Sequence, residues 1–363
     1  MTGLRCWKHQ QKLLSIQSSW GTKGNSPNRS FSSWPLQLVL PGIRKRGLSR
    51  LLPRRFWKRW GKCKYQINVL RRPVIQFGIY YAYWTHDWDV DFVPYIARVK
   101  KLGFDILEVN AGTIARLGSK QREKLRKTAS ANGIELTAVV GLTKEFDISS
   151  EDKNTRERGI GFLNRIADAM HECGIRKLGG IIYGMWPGML NDFSTEANER
   201  ERAWHRSVFS MREAVKKAED LGLNYNVEVV NRFEQFLINT CEDAVNYIDE
   251  VGSPNCKVML DTFHMNIEED SFAGAIERAG NNLGHFHVGE NNRKPPGYGH
   301  IPWDEIGSAL RRIGYDDTVV MEPFLMKGGE VGRDIRVFKD IMPNTDMDRE
   351  AEKACRFLRE KFA

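Results

Sequence analysis

The sequence predicts an α/β fold, a closed (β/α)8 barrel preceded by a basic extension. Three observations lead there. From residue 76 onward, short apolar runs alternate with helix-spaced stretches in eight unbroken βα units. Glu228, Asp261, His287 and Glu322 each stand at the end of one of four successive runs, NYNVEVVN, CKVMLDT, GHFHVGE and TVVMEPF. Of the chain's 55 Lys and Arg, residues 1–75 hold 17 with no Asp or Glu, so the remainder is net acidic. In a parallel barrel, side chains at the C-terminal strand ends meet on one face, which gives four consecutive ligand-type residues a common destination. An open doubly wound sheet accommodates the same alternation but supplies no such reason.

The elements follow in order. FGIYYAY (77–83) reads as the first strand. DVDFVPYIARVKKLG follows with Phe92, Ile96, Val99 and Leu102 at helical spacing and Gly103 as a stop. FDILEVN (104–110) is the second strand, and SKQREKLRKTASANG a helix closed by Gly133. IELTAVVG (134–141) precedes a helix over 151–173, with Ile160, Leu163, Ile166 and Met170 on one face. KLGGIIYG (177–184) is the fourth strand, and 196–221 a charged helix ending at Gly222. LNYNVEVV (223–230) leads to TCEDAVNYIDEVG, where Thr240 suits an N-cap. CKVMLDT (256–262), LGHFHVG (283–289) and DTVVMEPF (317–324) complete the strands, with helices at 270–280, 302–313 and 345–361.

Composition bounds the function. The chain's net charge of +9 belongs to residues 1–75, so a high isoelectric point is no argument for nucleic acid. That segment also holds Trp7, Trp20, Trp34, Trp57 and Trp60. It reads as a transit peptide, as a basic segment for an anionic membrane surface (RLLPRRFWKRWGKCK), or, the favoured reading, as translated sequence upstream of the true start. It is expected to be disordered, with the barrel domain over 76–363. No run reaches the roughly 20 apolar residues of a membrane span. The six cysteines form no CxxC pair and read as reduced, mostly buried thiols of an intracellular, cytoplasmic protein. There is no GxGxxG or Walker loop, so no nucleotide cofactor is expected.

Each strand-end residue has an ordinary reading. Asp261 suits a helix cap, His287 a core histidine, and Glu322, before Pro323, a loop anchor. Glu228 lies among Val227, Val229 and Val230, where a buried carboxylate needs a partner or a cation. Taken together, three carboxylates and one imidazole make a hard, oxygen-rich donor set. His285 shares the parity of His287, lies deeper, and reads as structural.

EVVNRFE (228–234), VMLDTFHMNIEED (258–270), GHFHVGENNRKPPG (284–297) and VVMEPF (319–324) resemble the ketose 3-epimerases of the D-tagatose/D-allulose (psicose) type, sugar-isomerase-like TIM barrels. GIYYAYW (78–84) and GGIIYGMWP (179–187) extend the resemblance, which runs from about residue 77 to the C-terminus. It implies that Glu228, Asp261, His287 and Glu322 hold a divalent metal, Mn2+ first and Co2+ or Mg2+ as substitutes. Glu228 and Glu322 match the catalytic acid/base pair. Glu234, His264 and Arg293 match residues that hold the ketose near C1–C3, and Tyr80, Trp88 and Trp186 fall at pocket-wall positions. The loop ENNRKPPGYGHIP reads as one that closes over the site.

The expected partner is a ketohexose, with neither nucleic acid nor membrane, in a homodimer or homotetramer. Alternatives on the same scaffold are an aldose–ketose isomerase and a non-catalytic sugar-binding barrel. An endonuclease IV-like barrel would want three zinc ions and more histidines than these eight dispersed ones.

Overall fold

The computed structural model describes residues 75–190 and 198–362. The expected basic extension therefore lies outside the described residues, apart from Ile75. Eight parallel strands close in sequence order: β1 (Gln76–Tyr80), β2 (Ile106–Asn110), β3 (Glu135–Val139), β4 (Lys177–Gly179), β5 (Asn224–Glu228), β6 (Cys256–Asp261), β7 (Leu283–Val288) and β8 (Thr318–Met321). Strand β8 pairs back onto β1, with Gln76 beside Thr318, so the barrel presents no free edge.

The α-helices in chain order are α1 (Val93–Lys101), α2 (Ala111–Arg116), α3 (Ser119–Asn132), α4 (Lys153–Cys173), α5 (Glu199–Leu221), α6 (Cys241–Val251), α7 (Thr262–Glu268), α8 (Phe272–Ala279), α9 (Trp303–Arg312), α10 (Gly329–Asp334) and α11 (Met347–Phe362). The apolar stripes read from the sequence are the buried faces. Ile96 and Val99 of α1, and Leu163, Ile166 and Met170 of α4, are inaccessible to solvent. Strand residues alternate as the pleat requires. Val227, Phe286 and Val319 alternate with Asn226, His285 and Thr318, and all six are buried. The barrel interior therefore carries a polar layer, in which Asn226 donates from Nδ2 to the Leu178 carbonyl at 3.0 Å while its Oδ1 has no partner.

The fourth strand is shorter than its apolar run. It ends at Gly179, and 180–184 leave the sheet. Gly180 has φ +106°, and a Cβ there would lie 2.3 Å from the Val140 carbonyl oxygen. The run is apolar because it is buried, not because it is extended. The first run likewise ends at Tyr80, where residues Tyr81–Trp84 coil into a 3-10 turn. Helices α2, α7 and α10, of six or seven residues, were not anticipated because they are too short to show a period.

Thr240 caps α6 reciprocally: its hydroxyl accepts from Asp243 N–H at 3.2 Å, and Asp243 accepts from Thr240 N–H at 3.1 Å. Thr240→Ala is expected to cost about 1 kcal/mol, or roughly 2–4 °C in Tm by calorimetry, with activity retained. An unchanged Tm would remove the cap's energetic role. Among the described residues no helix is long and apolar enough to cross a membrane. Cys173, Cys241, Cys256 and Cys355 are free and buried; Cys6 and Cys63 lie outside the described residues.

Candidate active site

Four strand ends deliver the central cluster. Glu228 closes β5, Asp261 closes β6, His287 is next to last in β7, and Glu322 directly follows β8. One ligand atom from each lies within 4.8 Å of the other three. His287 Nδ1 is 3.6 Å from a Glu322 oxygen and 4.0 Å from a Glu228 oxygen. The pleat explains the convergence: with Val227 turned outward, Glu228 turns into the barrel mouth. Asp261 fulfils its ordinary reading as well. One of its oxygens accepts from Phe263 N–H at 2.7 Å, capping α7. The other lies 3.9 Å from Arg293 and 4.0 Å from His264 Nε2.

The electrostatics of this cluster suit a cation. Burial pushes the Glu228 carboxyl well above the usual carboxylate range against the pull of His287, and the nearby Glu322 and Asp261 add to the rise. Burial disfavours a charged His287, but the carboxylates of Glu108 and Glu322 outweigh it and hold the imidazole well above its ordinary value. His287 Nδ1 is buried without a hydrogen-bond partner. Such an atom is costly in a dry interior unless something binds it. A lone imidazole nitrogen among carboxylate oxygens from three residues fits a hard divalent ion.

A second group of side chains adjoins the cluster. Arg293 reaches Glu322 and Glu234, each at 3.4 Å. Its guanidinium stacks 3.7 Å from the Phe263 ring centre. Glu234 also accepts from Trp186 Nε1 at 3.0 Å and from Asn231 Nδ2 at 3.1 Å. His264 Nδ1 faces the Asn231 backbone N–H at 3.2 Å and its amide at 2.7 Å. With a backbone donor on Nδ1, the ring proton sits on Nε2 and points toward Asp261. Burial lowers the His264 pKa, which keeps this ring a neutral donor.

Tyr80, Trp88 and Phe324 form an aromatic wall, with ring centres 6.2 to 6.5 Å apart. Phe324 joins this wall to Arg293, whose guanidinium lies 5.3 Å from its ring centre. Trp88 also serves the rim, donating from Nε1 to Asp334 of α10 at 2.9 Å.

The Arg293 loop is braced by hydrogen bonds. The buried Glu290 carboxylate accepts from Gly297 N–H at 2.6 Å, Ile301 N–H at 3.2 Å and Trp303 Nε1 at 2.8 Å. Arg293 itself adopts φ +61°, an uncommon conformation held by the surrounding turn. Its N–H bonds Glu290 O, and its carbonyl accepts from Phe324 N–H.

The sequence reading missed Glu108. It lies inside β2, fully buried, with His287 Nε2 at 2.7 Å and His285 Nε2 at 3.1 Å. Complete burial penalises its charge, yet the two imidazoles hold its pKa down to about 2. The clue was present: a carboxylate flanked by Leu107 and Val109 is as anomalous as Glu228 among valines. Its partners, however, lie on strands across the barrel. Asn231, Phe263 and Phe324 carry no comparable signal and were also missed as parts of the site.

Comparison with known proteins agrees with this architecture. Residues 96–361 match the xylose isomerase-like TIM barrel family. A D-psicose 3-epimerase of Ruminiclostridium cellulolyticum is 46% identical over 288 residues, covering 78% of this chain and 97% of that protein. One from Agrobacterium fabrum is 45% identical, covering 78% and 98%. Among solved structures, a D-psicose 3-epimerase crystallised in the presence of D-fructose superimposes with TM-score 0.76 at 44% identity, covering 79% of this chain and 99% of that one. The Clostridium cellulolyticum D-psicose 3-epimerase with D-tagatose gives TM-score 0.76 at 45% identity, covering 79% and 99%. On this evidence the chain belongs to the xylose isomerase-like TIM barrel family and is an isomerase of the epimerase class.

Proposed function

We propose that this protein is a divalent-metal-dependent ketose 3-epimerase, interconverting C3 epimers such as D-fructose and D-allulose or D-tagatose and D-sorbose. The observation that carries the reading is the convergence of Glu228, Asp261, His287 and Glu322 within 4.8 Å of one another. The relatives named as D-psicose 3-epimerases support the substrate class.

Epimerisation at C3 removes a hydrogen from a carbon beside a carbonyl and returns one to the other face. Glu228 and Glu322 project from strand ends three positions apart around the barrel, so each addresses its own face of a sugar lying between them. One takes the C3 proton as a carboxylate; the other, protonated, delivers one. General acid–base groups of this kind contribute roughly 10²–10⁴-fold. A divalent cation held by the four residues, Mn2+ by preference, supplies Lewis-acid stabilisation of the negative charge that develops on the sugar oxygens. His264 Nε2–H and the Arg293 guanidinium donate toward the same oxygens. Glu234, held by Trp186 and Asn231, accepts from a hydroxyl of the bound ketose. Tyr80, Trp88 and Trp186 bound the pocket and keep water from the developing charge.

A ketose panel with and without chelator tests the proposal. D-Fructose is expected to yield D-allulose, with deuterium from solvent entering at C3. Formation of aldoses alone would assign an aldose–ketose isomerase instead. Binding of ketose without any C3 exchange would make the barrel a sugar-binding protein.

A further inference from the structure

We propose that Glu108 is a positioning residue, which acts through His287 to set the metal affinity of the site. This inference rests on the metal-dependent reading above. The geometry is a chain of buried groups across the barrel interior. Thr318 Oγ1 of β8 lies 2.6 Å from His285 Nδ1. His285 Nε2 lies 3.2 and 3.1 Å from the two oxygens of Glu108. Glu108 Oε1 lies 2.7 Å from His287 Nε2. All four side chains are at most 1% exposed.

An ionised carboxylate only accepts hydrogen bonds, so each imidazole presents an Nε2–H to Glu108. For His287, with Nε2–H held by Glu108, Nδ1 is the nitrogen that would give up its proton and carry the lone pair when a cation binds, and Nδ1 is the atom that faces Glu228 and Glu322 without a partner. Glu108 thus selects the tautomer that can bind a cation and fixes the plane of the ring. The donor pair from β7 grips the carboxylate from two sides, and Thr318 completes the chain by facing the other nitrogen of His285. A carboxylate behind a metal-binding imidazole also raises its basicity, and loss of such a partner typically weakens metal binding by 10–100-fold.

The alternative is that Glu108, His285 and His287 themselves hold an ion, since their ligand atoms also lie within 4.8 Å of one another. The contacts of 2.7 to 3.2 Å are those of hydrogen bonds, which favours the positioning reading.

The test is a titration of MnCl2 into the full-length, metal-stripped protein, wild type against Glu108→Gln, by calorimetry and electron paramagnetic resonance. Wild type is expected to bind one ion per chain. Glu108→Gln is expected to bind the same number with a Kd 10–100-fold higher. Its kcat should recover toward wild type at saturating Mn2+, a rescue that a merely structural defect would not show. Wild-type affinity in folded Glu108→Gln overturns the proposal, as does a second ion in wild type that the variant loses. If wild type binds no Mn2+, the metal-dependent reading fails first and takes this inference with it. Should Glu108→Gln not fold, Glu108→Asp carries the test. Its carboxylate is retracted by one methylene, so weaker Mn2+ binding is expected, and wild-type binding overturns the proposal.

Discussion

Glu322→Gln and Glu228→Gln are each expected to abolish net epimerisation, with kcat falling by about 10³-fold or more, while the barrel stays folded. The expected size combines the loss of a proton-transfer group, roughly 10²–10⁴-fold on its own, with a weakened cation site. Gln keeps the shape of Glu and one accepting oxygen but cannot exchange the proton. Stability changes little because removing one of several crowded carboxylates relieves repulsion that burial makes strong. The proposed placement of two bases on opposite faces adds a sharper expectation. With metal occupancy confirmed, each variant should still exchange the C3 hydrogen of one epimer with deuterated solvent and lose exchange for the other. Normal epimerisation by either variant would end the paired-carboxylate mechanism. Equal residual exchange from both epimers would point to a single base that serves both faces.

Removing the metal is expected to have the second large effect. Dialysis against EDTA should abolish turnover, and Mn2+ should restore it, with Co2+ or Mg2+ less effective. The stripped protein should also melt earlier. An ion at 100 times its Kd contributes about 2.7 kcal/mol to the folded state, equivalent to a Tm shift of roughly 5–10 °C for a barrel of this size. The shift reflects the physics of the cluster. Glu228, Asp261 and Glu322 converge beside Glu234, and the compensating guanidinium of Arg293 is shared among Glu234, Asp261 and Glu322 at 3.4 to 3.9 Å. Full activity in protein shown by elemental analysis to contain no metal would refute the cation's role.

Legibility followed the range of the interaction. The barrel was readable because each βα unit announces itself locally, through an apolar run, a helical period and a stop such as Gly222, which has φ +65°. The four strand-end residues were readable for a related reason. A fold that places every strand end on one face turns a sequence position into a spatial one. The Arg293 loop was harder. Its Gly and Pro content suggested a segment that closes over the site, but did not disclose that the Glu290 carboxylate accepts from Gly297 and Ile301 N–H within the loop and from Trp303 of α9. The apolar run 177–184 misled in the other direction, since burial without extension looks the same in sequence as a strand.

The sequence alone determined the number and order of the strands and the convergence of Glu228, Asp261, His287 and Glu322, because these follow from periodicity and from strand ends. Only the tertiary structure decided what stands behind those residues. Glu108 and His287 are 179 positions apart, and Trp88 and Asp334 are 246 apart. No local pattern relates such pairs. They meet because barrel closure brings together side chains from strands and loops that are not neighbours in sequence, and for Glu108 and His287 the low dielectric of the buried interior gives their hydrogen bond its strength.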